Sequence, residues 1–118
     1  MDKTDVPMTE RELQDTVLEV LEWQGWKVFH DEDSRRNRAG FPDCCAVKGS
    51  RLMFIEFKSA KGKLRTQQRQ WLDELAQATY EVYLVRPKDL DEIVAIISGV
   101  YQPTITCHWN SVKAVDDE

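Results

Sequence analysis

The chain has 118 residues, of which 42% are hydrophobic and 31% are charged, the proportions of a soluble globular domain with a single core. No apolar run approaches the roughly 20 residues of a membrane span, and the polar, acidic N-terminus does not resemble a signal peptide, so we expect a cytoplasmic protein. Three cysteines, two of them adjacent, are poorly placed for a disulfide framework.

The charges are unevenly distributed along the chain. Net charge is −5, yet from Arg35 to Arg69 ten basic residues stand against two acidic ones, a balance of +8. The remainder holds six basic and nineteen acidic residues, a balance of −13. This distribution predicts a phosphate-binding face on an otherwise acidic protein, and the alternative is a solvated run of charge.

The first predicted element is a helix from Glu10 to about Gln24. Thr9 and Glu12 form a capping-box pattern before it, and Gly25 terminates it. Glu10 lies beside the core-facing side, where its carboxylate could serve a functional site; the alternative is a first-turn acid that favours the helix dipole. Apolar spacings of three and four predict a buried stripe of Leu13, Val17, Val20 and Leu21.

A predicted strand, Trp26–His30, follows the helix and leads into a polar loop. The loop, residues 31–39, has no apolar anchor and enters directly into a Gly-Phe-Pro-Asp turn. Its basic side chains are therefore candidates for phosphate contact, as is His30, although a surface histidine ending a strand is equally compatible with the sequence. The loop arginines are Arg35, Arg36 and Arg38.

Two apolar runs, Cys44–Val47 and Leu52–Phe57, predict a β-hairpin because a Gly-Ser turn separates them. Strand residues two apart share a face, so Glu56 and Lys58 point the same way. If the strands pair, Asp43 at the start of one comes beside Glu56 at the end of the other. Two carboxylates and an ammonium then converge, a grouping that suits Mg²⁺ or Mn²⁺ and phosphodiester hydrolysis.

The turn before the hairpin has a mechanical interpretation. Gly40 permits backbone angles or a close approach that a side chain would forbid, and Pro42 fixes the backbone that leads into Asp43. Asp43 is thereby pre-positioned at the strand start. The alternative is an ordinary turn aspartate.

After the hairpin, a basic loop over Ser59–Leu64 precedes a second helix, which Thr66 is predicted to cap and which runs to about Ala78. Gln68 lies one turn before the apolar stripe of this helix, so its amide is expected to face Asp43 and Glu56. The predicted stripe consists of Trp71, Leu72, Leu75 and Ala78.

The last predicted elements are a strand over Glu81–Arg86, stopped by Pro87, and a helix over Leu90–Ser98, ended by Gly99. Residues 101–118 carry no motif and could cover a sheet edge or meet a partner subunit. The order helix, three strands, helix, strand, helix predicts an α/β domain with a mixed sheet.

These residues carry a family resemblance. Pro42-Asp43 followed by Glu56-Phe57-Lys58 resembles the signature of the PD-(D/E)XK nucleases. The longer string, with Gly40 before it and Gln68-x-x-Trp71-Leu72 after it, is similar to the virus-type replication-repair nuclease (VRR-NUC) branch. The resemblance covers roughly residues 9–87.

The resemblance implies a restriction-endonuclease-like core, α-β-β-β-α-β-α, with a four-stranded mixed sheet flanked by helices. The implied nuclease domain spans residues 9–99, between a flexible N-terminus of residues 1–8 and a C-terminal extension of residues 100–118. One departure concerns the turn after the second helix, where the family commonly has a glycine and this chain has Ala78-Thr79-Tyr80.

The resemblance also implies roles for individual residues. Asp43 and Glu56 would bind Mg²⁺ or Mn²⁺ with the carbonyl of Phe57, helped by Glu10 through water or a second ion. Lys58 would orient the attacking water or stabilise developing charge, and Gln68 would assist. The residues expected to contact DNA are His30, Arg35, Arg36, Arg38, Lys61, Lys63 and Arg65.

The implied function is that of a metal-dependent DNA endonuclease in phage or bacterial replication, recombination or repair. Stand-alone members of the branch resemble Holliday-junction resolvases and are commonly dimers, so we expect a homodimer that selects a junction or a flap. The alternatives are a catalytically silent DNA-binding module of a replication or packaging assembly, and a sequence-specific restriction-type endonuclease.

Overall fold

The structure is a computed structural model that describes residues 7–30, 39–79 and 81–109. Its elements follow the order α1, β1, β2, β3, α2, β4 and α3. Each predicted helix and strand is present, with boundaries within about one residue of those expected from periodicity and turn residues. The elements are α1 (Glu10–Trp23), β1 (Lys27–His30), β2 (Cys44–Lys48), β3 (Arg51–Phe57), α2 (Thr66–Ala78), β4 (Glu81–Val85) and α3 (Leu90–Ile97).

The four strands form one mixed sheet in the order β1-β2-β3-β4. The first three strands pair antiparallel, and β4 joins β3 in parallel after the α2 crossover. The predicted α/β fold with a mixed sheet flanked by helices is therefore confirmed. This arrangement puts the start of β2 and the end of β3 next to each other.

Helices cover the sheet on both faces, because alternate strand residues point to opposite sides. On one face, α1 and α3 pack against Met53, Ile55 and Phe57 of β3. On the other, α2 packs through Leu72 against a second cluster to which Phe54 belongs. Glu56 has the parity of Phe54, so it lies on the α2 side.

The segment after α3 runs back along β4. Trp109 N donates to Val82 O at 2.8 Å and Leu84 N donates to Cys107 O at 3.0 Å, so residues 107–109 add a short antiparallel strip beside β4. Trp109 is fully buried, and its indole N–H donates to Asp73 of α2 at 2.8 Å. The part of the tail that the structure describes thus covers a sheet edge, one of the two expectations for it.

Two sequence expectations for α2 are wrong. The N-cap position is Arg65, and Thr66 is the first helical residue. Ala78 is exposed, while Ala76 packs against the buried cluster in its place. After Ala78, Thr79 adopts an extended conformation and donates its N–H to Leu75 O, so the helix ends without a glycine.

Within the described ranges, no helix combines the length and the apolar character needed to cross a membrane.

Candidate active site

Asp43 and Glu56 meet at the adjoining ends of β2 and β3. The antiparallel register pairs Cys44 with Ile55, so the residue before Cys44 lies next to the residue after Ile55. The two carboxyl groups share a hydrogen bond, and Asp43 Oδ2 also accepts from the backbone N–H of Phe57 at 2.8 Å. The hairpin therefore brings together the two acids that the sequence singled out.

Burial disfavours charge on this pair. Glu56 is only 2% exposed, and this burial, followed by the nearby charge of Asp43, raises its pKa to about 9. Burial also raises the pKa of Asp43, although the hydrogen bond from Phe57 opposes the change. In the protein alone, the raised pKa favours the protonated form of Glu56, whose O–H donates a hydrogen bond to Asp43.

The chemistry of this pair fits a hard divalent cation. Carboxylate oxygens are preferred ligands of Mg²⁺ and Mn²⁺, and a cation between the two groups would offset both the burial and the charge of Asp43 that raise the pKa of Glu56. Asp43, Glu56 and the carbonyl of Phe57 are the groups that would hold it. Among the residues described by the structure, no cluster of three or more His, Cys, Asp or Glu side chains is arranged as a metal site.

Lys58 follows Phe57, the last residue of β3, and by the alternation of the strand it shares the face of Glu56. Its backbone N–H donates to Val85 O at 3.0 Å, which fixes the base of the side chain against β4. Its positive charge favours ionisation of both carboxyl groups, because it lowers the pKa of each against the effect of burial. The side chain passes Gly62, where an added Cβ would lie 3.5 Å from Lys58 Cδ.

Gln68 contacts the pair from α2. Its Nε2 donates to Glu56 Oε2 at 3.0 Å, and its Oε1 accepts from the backbone N–H of Arg65 at 2.8 Å. The second bond caps the start of α2 and determines the direction of the amide, because the oxygen is held at the helix end and the nitrogen must point to the carboxyl.

Glu10 and His30 lie around this centre. Glu10 is the half-buried first residue of α1, and its charge raises the pKa of both Asp43 and Glu56. It is thus an electrostatic neighbour of the pair. His30 ends β1 opposite Cys44, the residue that follows Asp43, and it is half-buried.

Gly40 determines how the chain enters the site. Its φ is +87°, and a Cβ built there would lie 2.5 Å from the backbone carbon of Gln67 on α2. Both reasons expected for this glycine, an unusual backbone angle and a close approach, are therefore present. Pro42 is buried behind it, and together they direct Asp43 to the end of β3.

The basic loop lies directly after Lys58. Lys61, Lys63 and Arg65 are exposed there. The loop takes its shape from a residue that sequence analysis missed: Arg86, whose Nη1 donates to Ser59 O and Gly62 O, both at 2.7 Å. Nothing in the sequence pattern distinguishes this arginine from a surface charge at the end of a strand.

Some of the basic residues expected to contact DNA are not part of the structural description. Arg35, Arg36 and Arg38 lie outside the described residues. Of the remaining basic residues between 35 and 69, Arg51 has a structural role, because its guanidinium forms two hydrogen bonds with Glu81 at 2.7 and 3.0 Å. The charge balance of the segment thus overstates the number of cations available to a phosphate.

Comparison with known proteins gives an independent result. The family described as the VRR-NUC domain matches residues 5–89, which include Glu10, the hairpin and Gln68. Neither the curated proteins nor the solved structures contain a match to the chain. Because the family match covers well over half of the chain and agrees with the observed fold, this protein belongs to the VRR-NUC family of nucleases.

Proposed function

We propose that the protein is a metal-dependent endonuclease that hydrolyses phosphodiester bonds of DNA. The observation that carries the proposal is the pairing of Asp43 with buried Glu56 beside Lys58 and Gln68. Burial of two carboxyl groups that resist ionisation is costly for the fold, and binding of a divalent cation and a phosphate substrate would account for that cost.

Each side chain has a proposed task. Asp43 and Glu56, with the carbonyl of Phe57, hold Mg²⁺ or Mn²⁺, which when bound supplies Lewis-acid activation of water and phosphate. Lys58 orients the attacking water or stabilises the negative charge that develops on the phosphoryl oxygens. Gln68 holds Glu56 in place, and Glu10 acts through water or a second ion.

The proposed DNA contacts surround the carboxylate pair. Lys61, Lys63 and Arg65 are exposed on the loop and helix start next to Lys58, where they can neutralise phosphates. His30 contributes from the end of β1. Arg35, Arg36 and Arg38 are proposed DNA contacts from the sequence alone.

We further propose that the enzyme recognises DNA structure, such as a four-way junction or a flap. Among the described residues, every helix and strand belongs to the single layered core, and this leaves no separate element to insert into a DNA groove. Cleavage rates on junction, flap, nicked and plain duplex DNA test the proposal. Equal rates on all four would rule out structure selectivity.

A homodimer would suit such a substrate, because two sites could cut two strands. The sheet supports this proposal with an apolar area on its α2 side, made by Phe29 (61% exposed), Cys45, Val47 (40%) and Leu52 (39%). Strand β1 lies at the sheet edge, and an antiparallel edge strand can pair with its own copy across a twofold axis.

The catalytic assignment is tested by Glu56→Gln and Asp43→Asn in the full chain. Each removes a charge that the metal needs while keeping the shape of the side chain. We expect the cleavage rate to fall more than about 100-fold, which is the upper end of the loss seen when a residue that only positions a metal ligand is replaced. DNA binding and the unfolding temperature should change little. Lys88→Ala, at an exposed position after β4, is the control and should cut normally.

Calorimetric titration with Mn²⁺ separates the nuclease from a silent binding module. We expect the wild type to bind Mn²⁺ and Glu56→Gln to lose that binding. A protein that binds DNA, shows no heat with Mn²⁺ and cuts no substrate would be the DNA-binding module.

A further inference from the structure

A cleft beside the carboxylate pair has no role in the function proposed above. It has a volume of about 530 Å³, within the range of about 300–1,000 Å³ typical of small-ligand sites. One wall is Ala39, at the entry to the Gly40 turn. The other wall is formed by one face of α2, with Gln67, Gln70, Trp71 and Glu74. The last three residues lie three, four and seven positions after Gln67, a spacing that puts all four on the same side of a helix.

The lining has the chemistry of a nucleobase site. Trp71 supplies an aromatic surface on which a base can stack. Gln67 and Gln70 carry amides, which offer both donors and acceptors to base edges. Glu74 offers acceptors alone when ionised, and its charge opposes a phosphate in the cleft, so the base and not the backbone is the part of a nucleotide that fits.

The aromatic wall is held in place by a second ring. Trp71 packs edge-to-face on Phe41, with ring centroids 4.9 Å apart and planes at 79°. Phe41 in turn packs edge-to-face on Phe54 of β3 at 6.1 Å. The indole is therefore braced by the sheet, and a stacking partner would meet a surface that is already ordered.

The cleft also lies close to the proposed chemistry. Phe41, which contacts Trp71, is two residues before Asp43. Gln68, which contacts Glu56, is the neighbour of Gln67 on the first turn of α2. A strand of DNA whose phosphate lies at the carboxylate pair would thus have a nearby base within reach of the cleft.

We propose that this cleft receives an unpaired nucleobase next to the phosphate that is cut, and that it favours bases carrying an exocyclic amino group. The inference rests on the proposed nuclease function and makes it more specific. A base inside a duplex is stacked and paired and does not reach the cleft, whereas a base at a flap, bulge or junction does so at little cost. Glu74 would accept from the amino group, as acidic side chains do from cytosine, and thymine has none to offer.

The test measures binding in a divalent-ion chelator, so that no cleavage interferes. Two DNA duplexes are compared, one fully paired and one with a single unpaired 2-aminopurine, whose fluorescence falls on stacking. We expect the wild type to bind the second duplex more tightly and to quench its fluorescence. Trp71→Ala should weaken that binding roughly tenfold and abolish the quenching, with no change for the paired duplex.

Further variants guard against loss of folding, because Trp71 packs on Phe41. Trp71→Phe retains an aromatic ring and should keep most of the quenching. The double variant Gln67→Ala/Gln70→Ala changes exposed side chains alone and should also weaken binding of the unpaired base. Gln77→Ala, exposed on the last turn of α2 beyond the residues that line the cleft, is the matched control and should behave as wild type.

Base preference gives an independent measurement. We expect an unpaired dC to bind more tightly than an unpaired dT, and Glu74→Gln to reduce that difference. Equal binding of paired and unpaired duplexes by the wild type, or unchanged binding in Trp71→Ala and in the double variant, would overturn the inference. If such a protein still cuts DNA with Mg²⁺ or Mn²⁺, the proposed nuclease function stands; if it cuts none, that function fails as well.

Discussion

Two independent constraints act on Gly40. Its positive φ is a conformation that side chains with a Cβ rarely adopt, and the nearby backbone of Gln67 occupies the space that a Cβ would need. Gly25 has almost the same φ, +88°, but nothing lies within 4 Å of its added Cβ. Substitution of Gly25 therefore measures the free-energy cost of the positive φ alone, and substitution of Gly40 measures that cost together with the steric cost of the contact with Gln67.

We predict that Gly25→Ala lowers the free energy of unfolding by about 1 kcal/mol, the cost of a positive φ alone. Gly40→Ala should cost at least about 1 kcal/mol more, because α2 must move away from the turn. Urea unfolding of both variants gives the comparison. Equal losses would show that the contact with Gln67 is unimportant.

Gln68 links a helix cap to the carboxylate pair, and two substitutions distinguish these tasks. Gln68→Ala removes both bonds, while Gln68→Glu keeps an oxygen for Arg65 N but replaces the amide donor to Glu56 with a carboxylate oxygen, which adds negative charge beside the pair. We predict that both variants lose about 10–100-fold in cleavage rate and Mn²⁺ affinity, as expected for a residue that positions a metal ligand. Retained activity in Gln68→Glu would mean that capping is the sole task.

At this scale, the sequence predicts the site better than it predicts its supports. Strand parity and the hairpin turn are local rules, and they suffice to bring Asp43 beside Glu56. Sequence predicts Thr66 as the cap because threonine is a better N-cap residue than arginine. The helix starts one residue earlier because Gln68 Oε1 accepts from Arg65 N. The Gln68 amide is held in this orientation by its bond to Glu56, a residue of β3 that local sequence rules do not take into account.

Among the elements, the short strip at residues 107–109 is the one whose exact position along the chain sequence patterns could not predict. The β-branched run Thr104-Ile105-Thr106 is the local signal for a strand, yet the pairing falls on Tyr83 and His108. Glu92 explains part of the shift, since its carboxylate accepts from Thr106 N at 2.6 Å and Cys107 N at 3.1 Å. These contacts join residues distant in sequence, which periodicity does not reveal.

We predict that Trp109→Ala lowers the free energy of unfolding by about 3–5 kcal/mol, the range for removing a fully buried large aromatic side chain. The loss includes the hydrogen bond to Asp73, which would be left without its indole donor. Tyr101→Ala, at a position 84% exposed, is the control and should change stability by no more than about 0.5 kcal/mol. Denaturant unfolding at equal protein concentration measures both.

For the whole molecule, the contrast between the two ends of the sheet is informative. Strip 107–109 covers the β4 edge, while Phe29, Val47 and Leu52 leave apolar surface exposed near the β1 edge. A self-association surface near β1 would put the same residues of two copies in contact. Periodicity predicts which strands exist. It does not predict that α2 leaves part of the four-stranded sheet uncovered, because this depends on how the complete sheet packs.

We predict a dimer in sedimentation velocity at micromolar concentration and its dissociation by Phe29→Lys, because a charge on each copy would enter the apolar contact. Because Phe29 is exposed in the single chain, the substitution should change the unfolding temperature of the monomer little. Tyr101→Lys, remote in sequence and highly exposed, should leave the dimer intact. A monomeric wild type would contradict the proposal.

The position of Trp109 affects how recombinant pieces of this protein should be designed. An expression fragment trimmed to residues 5–89, the extent of the family match, would omit α3 and Trp109 together. Ile93 and Ile97 would no longer shield one side of the sheet, and Val82 and Leu84 would be uncovered on the other. Such a fragment would retain all the proposed catalytic groups and yet be prone to aggregate before any assay could be performed.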